Sequence, residues 1–341
     1  MLAASLLGAA ASATSPEPGP SPSTTALSRL VSAGTAPAAA LLSQSPSTGS
    51  RFVTTGPAVR RTDHFRAGSI TKTFVATVVL QLAAEHKLRL SDTVESHLPN
   101  LVRGHGNDGR RITLRALLSH TAGLYDYTHS TAARASAPRT PLAALHTALA
   151  HSPTRIGSYA YSNTDYVLLG LVVHQVTGRS YAAEVTRRIL TPLHLTGTSF
   201  PGARRTLPSP YGRSYSLSAP GRDATTLVDP RTAGAAGELI STLADLNHFY
   251  SALLGGRLLP APALADLLNT TPAQGRYGLG VFPQRLSCGR TVWGHNGRIT
   301  GSYVRTATTG DGRHTVTFRL NSDTEPAPSL ERAVLEAEFC P

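Results

Sequence analysis

The chain has 341 residues, of which 40% are hydrophobic and 15% charged, and its formal net charge is +12. This length and composition allow one large globular domain or two smaller ones and exclude a mainly disordered chain. The basic residues are scattered in ones and twos, with no basic run interleaved with aromatic residues, so the charge does not indicate nucleic-acid binding.

The N-terminal segment, residues 1–24, is similar to a secretory signal followed by a linker. Residues 2–13 are small and apolar, residues 11–13 fit a cleavage site, and four alternating prolines follow between positions 16 and 22. The basic start of a signal peptide is missing, so we interpret the segment as a signal truncated at its N-terminus and expect a secreted protein. An alanine-rich tail is the alternative. No other stretch reaches the roughly 20 apolar residues that span a bilayer.

Residues 25–341 are predicted to form one domain with strands near both ends. Turn residues and strand-like runs predict strands at 39–44, 51–55, 277–282, 291–294, 302–308 and 314–320. Apolar periodicity predicts helices at 25–33, from 69 onward, and at 141–150, 164–176, 181–190, 242–254 and 328–339. This order is typical of an α/β domain interrupted by an all-helical insertion, here roughly residues 85–270.

The rarity of lysine in this chain indicates which serine is a candidate nucleophile. Only two of the 32 basic residues are lysines, and Lys72 stands three positions after Ser69. An ammonium group can lose its proton, whereas a guanidinium in practice cannot. Ser69 opens a predicted helix, where unpaired backbone N–H groups favour developing negative charge, and Lys72 lies on the same side one turn later. The pair predicts a serine activated by a lysine.

Two later segments supply further groups. Tyr161 and Asn163 precede an apolar helix, and a buried phenol beside a lysine can ionise below its usual pKa of about 10, because each charge favours the other. A packed aromatic and a helix cap are the alternative interpretations. His295-Asn296-Gly297 follows a strand, where glycine would let a substrate backbone pair beside the strand edge. A lone histidine there is more often structural.

Cys288 and Cys340 are the only cysteines. A bridge would close a loop of about 50 residues and stabilise the fold by about 4 kcal/mol in the chain-entropy model. Two unrelated buried thiols are the alternative. Neither cysteine belongs to a pair with metal-ligand spacing, and His64 and His120 lack ligand partners, so we predict no metal site and no cofactor and interpret both histidines as structural.

Three motifs together resemble a known family. Ser69-x-x-Lys72, Tyr161-x-Asn163 and His295-x-Gly297 have the types and order of the motifs of serine penicillin-recognising enzymes, which include class C β-lactamases and D-Ala-D-Ala carboxypeptidases. The resemblance covers residues 25–340 and is strongest to the secreted actinomycete D-Ala-D-Ala carboxypeptidases. Further stretches that carry it are 65–69, 118–127, 159–164, 277–280 and 286–289.

The resemblance implies a β-lactamase/transpeptidase-like fold, with an antiparallel sheet flanked by helices, an inserted all-helical lobe and the active site between them. It also implies that the two cysteines form a disulfide. Ser69 would attack the scissile carbonyl and become acylated, while Lys72 and Tyr161 would share the base and acid roles in an order that stays open. Asn163 would hold the substrate amide and help to position Lys72.

The third motif carries the remaining implied roles. Backbone N–H groups of Ser69 and Arg298 would form the oxyanion hole. His295 would be a further catalytic residue, in the place of a lysine in class C β-lactamases, and Asn296, Gly297 and Arg298 would bind substrate.

Two departures from the family concern the substrate. D-Alanine-removing relatives carry an arginine shortly after the Gly-Leu-Gly stretch, where this chain has Phe282 and Pro283. Two hydroxyl groups that bind the substrate carboxylate in the third motif of these relatives are absent here. Arg298 would restore carboxylate binding through two parallel hydrogen bonds from its guanidinium group. A solvated arginine is the equal alternative.

We therefore expect a D-alanyl-D-alanine carboxypeptidase that acts on peptidoglycan-type peptides and is acylated by penicillins. Its partners would be a peptide or β-lactam small molecule and peptidoglycan itself. Alternatives within the fold are an esterase, a D-amino-acid amidase or a β-lactamase. A non-catalytic penicillin- or peptidoglycan-binding module is the alternative outside enzymes, and Ser69-dependent hydrolysis of a simple ester would separate it from the rest.

Overall fold

The computed structural model describes residues 21–340, apart from positions 35, 58, 131–136 and 138. The predicted signal-like segment and most of the linker therefore lie outside the described residues. The domain starts slightly before the predicted residue 25, because Ser21 caps a helix that begins at Pro22. The Ser21 side chain accepts a hydrogen bond from the backbone N–H of Thr24, and proline suits the first helical position.

A six-stranded antiparallel sheet lies at the centre of the molecule. Its strands are β1 Ala39–Ser45, β2 Gly49–Thr55, β7 Phe282–Arg285, β8 Thr291–Ile299, β9 Ser302–Thr309 and β10 Thr315–Leu320. Two short pairs lie outside it, β3 Phe65–Arg66 with β6 Ile240–Ser241 and β4 Arg103–Gly104 with β5 Asn107–Asp108. The order β2-β1-β10-β9-β8-β7 places Ala39 opposite Leu320, so both ends of the domain contribute to one sheet, as predicted.

Helices flank the sheet and fill the connection between its two halves. The α-helices are α1 Pro22–Ser32, α2 Thr71–Ala84, α3 Val94–His97, α4 Leu114–Leu118, α5 Pro141–Leu149, α6 Asn163–Thr177, α7 Tyr181–Val185, α8 Leu243–Leu254, α9 Ala261–Leu268 and α10 Pro328–Phe339. Within the described part of the chain, no helix combines the length and the apolar composition needed to cross a bilayer.

The alternation of side chains along β10 separates two hydrophobic clusters. Val316 and Phe318 pack with the apolar faces of α1 and α10 on one side of the sheet. Thr317 points to the other side, where its hydroxyl donates to the side-chain carbonyl of Asn247 in α8 at 2.7 Å. On that side Phe74 of α2 stacks on Phe249 of α8, with ring centroids 3.6 Å apart. The helix that begins beside Ser69 is therefore anchored directly on the sheet layer.

The helical insertion ends earlier than predicted. Helix α8 packs against β1, β9 and β10, so it belongs to the sheet layer and not to a separate lobe that continues to residue 270. The insertion also contains the β4–β5 hairpin, and β6 brings the chain back to β3, directly before Ser69. The cap of α8 is Thr242, whose hydroxyl accepts from the backbone N–H of Asp245 at 3.2 Å.

The strands around the third motif differ from the prediction. Residues 277–281 are not a strand, because Gly280 has φ +87° and its carbonyl accepts a hydrogen bond from Thr73 of α2 at 2.7 Å. The chain turns beneath α2 there, and β7 starts only at Phe282. Strand β8, predicted to end at residue 294, continues to Ile299 and carries the whole motif.

Cys288 and Cys340 form a disulfide, as the resemblance implies. Their Cα atoms are 5.7 Å apart, and the cysteines are separated by 52 positions in the chain. The bridge joins the turn between β7 and β8 to the end of α10.

Candidate active site

Ser69 lies in a tight turn that leads into α2. The turn is a 3₁₀ segment over Gly68–Ile70, and Gly68 has φ +52°, which favours glycine. A Cβ atom on Gly68 would lie 2.8 Å from the backbone nitrogen of Arg298. This close approach holds the turn against β8, so that the Ser69 and Arg298 backbones meet at one edge of the cleft.

The Lys72 side chain is completely buried next to Ser69. Its Nζ lies 2.9 Å from Ser69 Oγ, 2.8 Å from Asn163 Oδ1 and 2.6 Å from the carbonyl oxygen of Ala236. A neutral amine suits these three neighbours, because its two N–H groups donate to Asn163 and Ala236 while its lone pair accepts the Ser69 hydroxyl proton. Burial lowers the pKa of Lys72 to about 7, and a negative charge on Asp126 or Asp165 would oppose this effect. The neutral amine is therefore available near neutral pH.

Tyr161 lies next to both Ser69 and Lys72. Its ring centroid is 5.0 Å from Lys72 Nζ. The expectation of a lowered phenol pKa is wrong: burial raises the pKa of Tyr161 well above its usual value, and a hydrogen bond with Ser69 only partly offsets this. Tyr161 is consequently a neutral phenol, able to donate a proton, when Lys72 is a neutral amine.

Asn163 is held by a carboxylate that the sequence did not reveal. Its Nδ2 donates to Asp126 Oδ2 at 2.8 Å, which turns its Oδ1 toward Lys72. Asp126 is fixed in turn, because its Oδ1 accepts from the backbone N–H and the hydroxyl of Thr128 at 2.9 and 2.8 Å. Asp126 lies within the stretch 118–127 that carries the family resemblance, but its spacing gave no sign of this contact.

Strand β8 presents the third motif along the cleft. Its pairing with β7 ends at Gly294 opposite Phe282, so residues 295–299 face the Ser69 turn. Gly297 is closely packed there, since a Cβ atom would lie 1.9 Å from the Ala67 carbonyl oxygen and 3.2 Å from the Ser69 nitrogen. Only glycine allows this approach of strand and turn.

The other side chains of the motif are placed differently. His295 is buried, its Nε2 lies 2.8 Å from the Tyr277 hydroxyl, and burial lowers its pKa to about 3. It is neutral and does not replace the charge of a lysine. Asn296 is not among the described residues that line the cleft. Arg298 does line the cleft, and its Nη1 lies 3.4 Å from Glu325 Oε2.

The cleft has a volume of about 630 Å³. Its lining residues include Ser69, Tyr161 and Asn163, and also Arg298, Asp323 and Glu325. Phe282, at the position where the family's arginine is expected, packs its ring on the guanidinium of buried Arg305 at 4.5 Å. That position therefore offers the cleft no cation.

Comparison with known proteins assigns the family. The Beta-lactamase family model matches residues 31–339. The chain belongs to the beta-lactamase family. It is a serine hydrolase with the antiparallel sheet and flanking helices of that family, which confirms the predicted fold class and the resemblance.

Among solved structures, this beta-lactamase family protein is similar to a D-stereospecific amidohydrolase from Streptomyces sp., with 42% identity, a TM-score of 0.86 and coverage of 94% of this chain and 98% of that one. The D-amino acid amidase from Ochrobactrum anthropi SV3 shares the fold, with 24% identity, a TM-score of 0.78 and coverage of 93% and 97%. Protein flp of Staphylococcus aureus (strain COL) is 34% identical over 143 residues, which are 41% of this chain and 28% of that protein. The matched part thus spans less than a third of that curated relative.

Proposed function

We propose that this serine hydrolase is a D-stereospecific amidohydrolase acting on amides or short peptides of D-amino acids with a free α-amino group. The observation that carries the proposal is the charge of the cleft. Three carboxylates line it, those of Asp126, Asp323 and Glu325, and the one arginine among its described lining residues, Arg298, is paired with Glu325. Such a cleft attracts an ammonium group more readily than a carboxylate.

The similarity to the Streptomyces D-stereospecific amidohydrolase supports the same conclusion, because it extends over almost the full length of both chains at 42% identity. The preference for D-amino acids in the proposal comes from this similarity, whereas the preference for a free amine comes from the cleft.

The proposed chemistry proceeds through an acyl-enzyme. Neutral Lys72 takes the proton of Ser69 as Ser69 Oγ bonds to the substrate carbonyl carbon. The backbone N–H groups of Ser69 and Arg298 stabilise the resulting oxyanion. The C–N bond then breaks, the leaving amine receives a proton through Lys72 and Tyr161, and water hydrolyses the ester by the same route in reverse.

A set of matched substrates tests the proposal. D-phenylalanine amide, its L-enantiomer and N-acetyl-D-phenylalanine amide would be compared with wild type and Ser69→Ala. We expect the free D-amide to have the highest kcat/KM, the N-acetyl compound to lose roughly tenfold or more through KM, and Ser69→Ala to be inactive. Equal hydrolysis of the free and N-acetylated D-amides would contradict the ammonium preference.

Glu325 lines the cleft with a side chain that is 56% exposed, and it provides a second test with the same substrates. Glu325→Gln should raise KM for the free D-amide by a few-fold to tenfold, since it removes an exposed carboxylate, and should leave KM for the N-acetyl compound unchanged. An equal effect on both substrates would show that Glu325 does not recognise the amine.

A D-Ala-D-Ala carboxypeptidase acting on peptidoglycan peptides is the second candidate, and Arg298 favours it. Its side chain is 60% exposed in the cleft and could exchange Glu325 for a substrate carboxylate. A diacetylated peptide ending in D-Ala-D-Ala tests this candidate: hydrolysis faster than that of the free D-amide, with KM raised in Arg298→Gln, would favour it. Incubation with benzylpenicillin followed by intact mass would reveal a lasting adduct on Ser69.

We also infer that the protein works outside the reducing cytosol. The Cys288–Cys340 disulfide supports this location, because structural disulfides persist mainly in oxidising compartments. Detection of the bridged form in culture medium of the source cells would test it, and a reduced, cell-retained form would contradict it.

A further inference from the structure

A buried histidine–carboxyl pair lies directly behind Tyr161. His120 and Asp165 are both fully buried, with Oδ2 of Asp165 3.0 Å from Nδ1 of His120. The His120 ring lies under Tyr161, with the ring centroids 4.2 Å apart. The mechanism proposed above does not use either residue, and the sequence indicated only a structural histidine.

The pair holds the second motif on two sides. The backbone N–H of Ser162 donates to His120 Nδ1 at 3.3 Å, and the carbonyl of His120 accepts from the N–H of Ala160 at 2.8 Å. These bonds fix the residues on either side of Tyr161. Asp165 stands in the first turn of α6, two positions after Asn163, so the pair also ties the start of that helix to His120.

The donors around His120 Nδ1 determine where the proton lies. A backbone N–H can only donate, so Nδ1 must present its lone pair to Ser162. An ionised Asp165 would then place a second electron pair 3.0 Å from the same nitrogen. A protonated Asp165 instead donates its O–H to Nδ1, whose single lone pair is then shared with the Ser162 N–H, while the ring proton lies on Nε2, which has no hydrogen-bond partner among the described residues. The arrangement therefore fits a carboxylic acid beside a neutral imidazole.

The surroundings of Asp165 favour the same state. Burial raises the pKa of Asp165 well above its usual value, and Asp126 adds to this effect. Burial also lowers the pKa of His120, and the charge of Lys72 adds to it. The N-terminus of α6 favours a carboxylate by about 1–2 kcal/mol at most. However, Asp165 Oδ1 has no hydrogen-bond partner among the described residues, so an ion there would be poorly solvated.

We propose that His120 and Asp165 form an uncharged positioning pair, with Asp165 a carboxylic acid at neutral pH, which holds the Tyr161 segment in place without adding negative charge beside Lys72. An ionised Asp165 would stabilise the ammonium form of Lys72 and so weaken it as a base. The pair thus orients the second motif and leaves Lys72 able to lose its proton. The proposal rests on Lys72 as the base, but not on the identity of the substrate.

The titratable groups that face the pair come from several elements. They are Lys72, Asp126, Tyr159, Tyr161, Tyr166, Tyr277 and His295. Among them Lys72 is the group whose pKa lies near neutrality, at about 7, and its charge is the one that activity reports. A change in the charge of Asp165 should therefore appear as a shift in the acid limb of the pH profile.

Asp165→Asn is the decisive variant, because its amide can donate to Nδ1 as the proposed acid does and it carries no charge. We expect kcat/KM on a simple ester to stay within about threefold of wild type and the acid limb to move by less than about 0.3 pH units. Asp165→Ala, which removes the donor, should lose tenfold or more in kcat with KM little changed. A shift of the limb by about one unit to lower pH in Asp165→Asn would overturn the proposal.

Infrared difference spectroscopy tests the proton without relying on activity. The wild-type minus Asp165→Asn spectrum at about pH 7 should contain the C=O band of a protonated carboxylic acid. A carboxylate band in its place would overturn the proposal even if the enzyme proved inactive on every substrate. Should Asp165→Asn fail to fold, the wild-type minus His120→Asn spectrum should show a displaced acid band, and a displaced carboxylate band would be the contrary result.

Discussion

The protonation state of Lys72 controls the proposed chemistry, and it gives the first prediction. Since burial lowers the pKa of Lys72 to about 7, the base is protonated below this pH and free above it. For an ester without titrating groups, log kcat/KM should therefore rise with pH with a slope of one below about pH 7 and level off above it. Neither His295, with a pKa of about 3, nor the neutral Tyr161 should add a second limb on the acid side.

Lys72→Arg is the matched control for this profile. Arginine keeps the positive charge but cannot give up its proton in this pH range. We therefore expect kcat/KM to fall by about 10²–10⁴-fold and its pH profile to show no acid limb near pH 7. An arginine variant with the wild-type profile would assign the limb to a different group.

The sequence predicted those candidate site residues whose types and spacing fit the proposed chemistry. Ser69, Lys72, Tyr161 and Asn163 were named from it, and the structure brings all four together. Asp126 was missed because its role depends on a contact with Asn163 across the fold. The carbonyl of Ala236 was missed because a backbone group has no sequence signature. The direction of the Tyr161 pKa was wrong because burial cannot be read from spacing.

Strand β8 and the Ser69 turn function as one element, and Gly297→Ala tests this. The added methyl group would lie 1.9 Å from the Ala67 carbonyl oxygen, so the strand and the turn must separate. We expect kcat/KM to fall by about 10²-fold, because the two backbone N–H groups of the proposed oxyanion hole would no longer converge. Ester hydrolysis and thermal melting should be measured together.

Gly310→Ala is the matched control, because Gly310 lies between β9 and β10 of the same sheet. Nothing lies within 4 Å of a Cβ atom built on Gly310, and its φ is not positive. This variant should keep activity within about twofold. If Gly297→Ala behaved in the same way, the close packing of β8 on the turn would not matter for catalysis.

The strands near the third motif show why element boundaries were harder to predict than element types. Alternation of residue types at 277–282 is typical of a strand, yet Gly280 turns the chain to contact Thr73. Gly294 was read as a strand end, but it allows a close approach to β9, since a Cβ atom would lie 1.9 Å from the Thr306 carbonyl oxygen. A glycine that permits a turn and one that permits close packing look alike in sequence, and only tertiary contacts distinguish them.

At the scale of the whole molecule, the site exists only when distant segments have assembled. Strands from both ends of the domain form one sheet, and β8 of that sheet supplies Gly297 and Arg298. The insertion supplies Tyr161, Asn163 and Asp126. The predicted order of strands, helices and strands anticipated this arrangement, but the assignment of α8 to the sheet required the packing itself. Interactions that link the C-terminal strands to one another should therefore stabilise the fold without changing kcat.

The Cys288–Cys340 bridge gives the prediction at this scale. It closes a segment that contains β8, β9, β10 and α10, with the cysteines 52 positions apart. Replacing both by serine should lower the free energy of unfolding by up to about 4 kcal/mol, mainly because the unfolded chain gains freedom. Urea unfolding should show a lower midpoint, while kcat at low temperature stays unchanged because the bridge lies at the opposite end of β8 from Arg298. Reduced wild type is the control and should unfold at the same midpoint as the double variant. An unchanged midpoint in both would mean that the bridge contributes nothing to stability, and a loss of kcat in the folded double variant would show that it also positions β8 for catalysis.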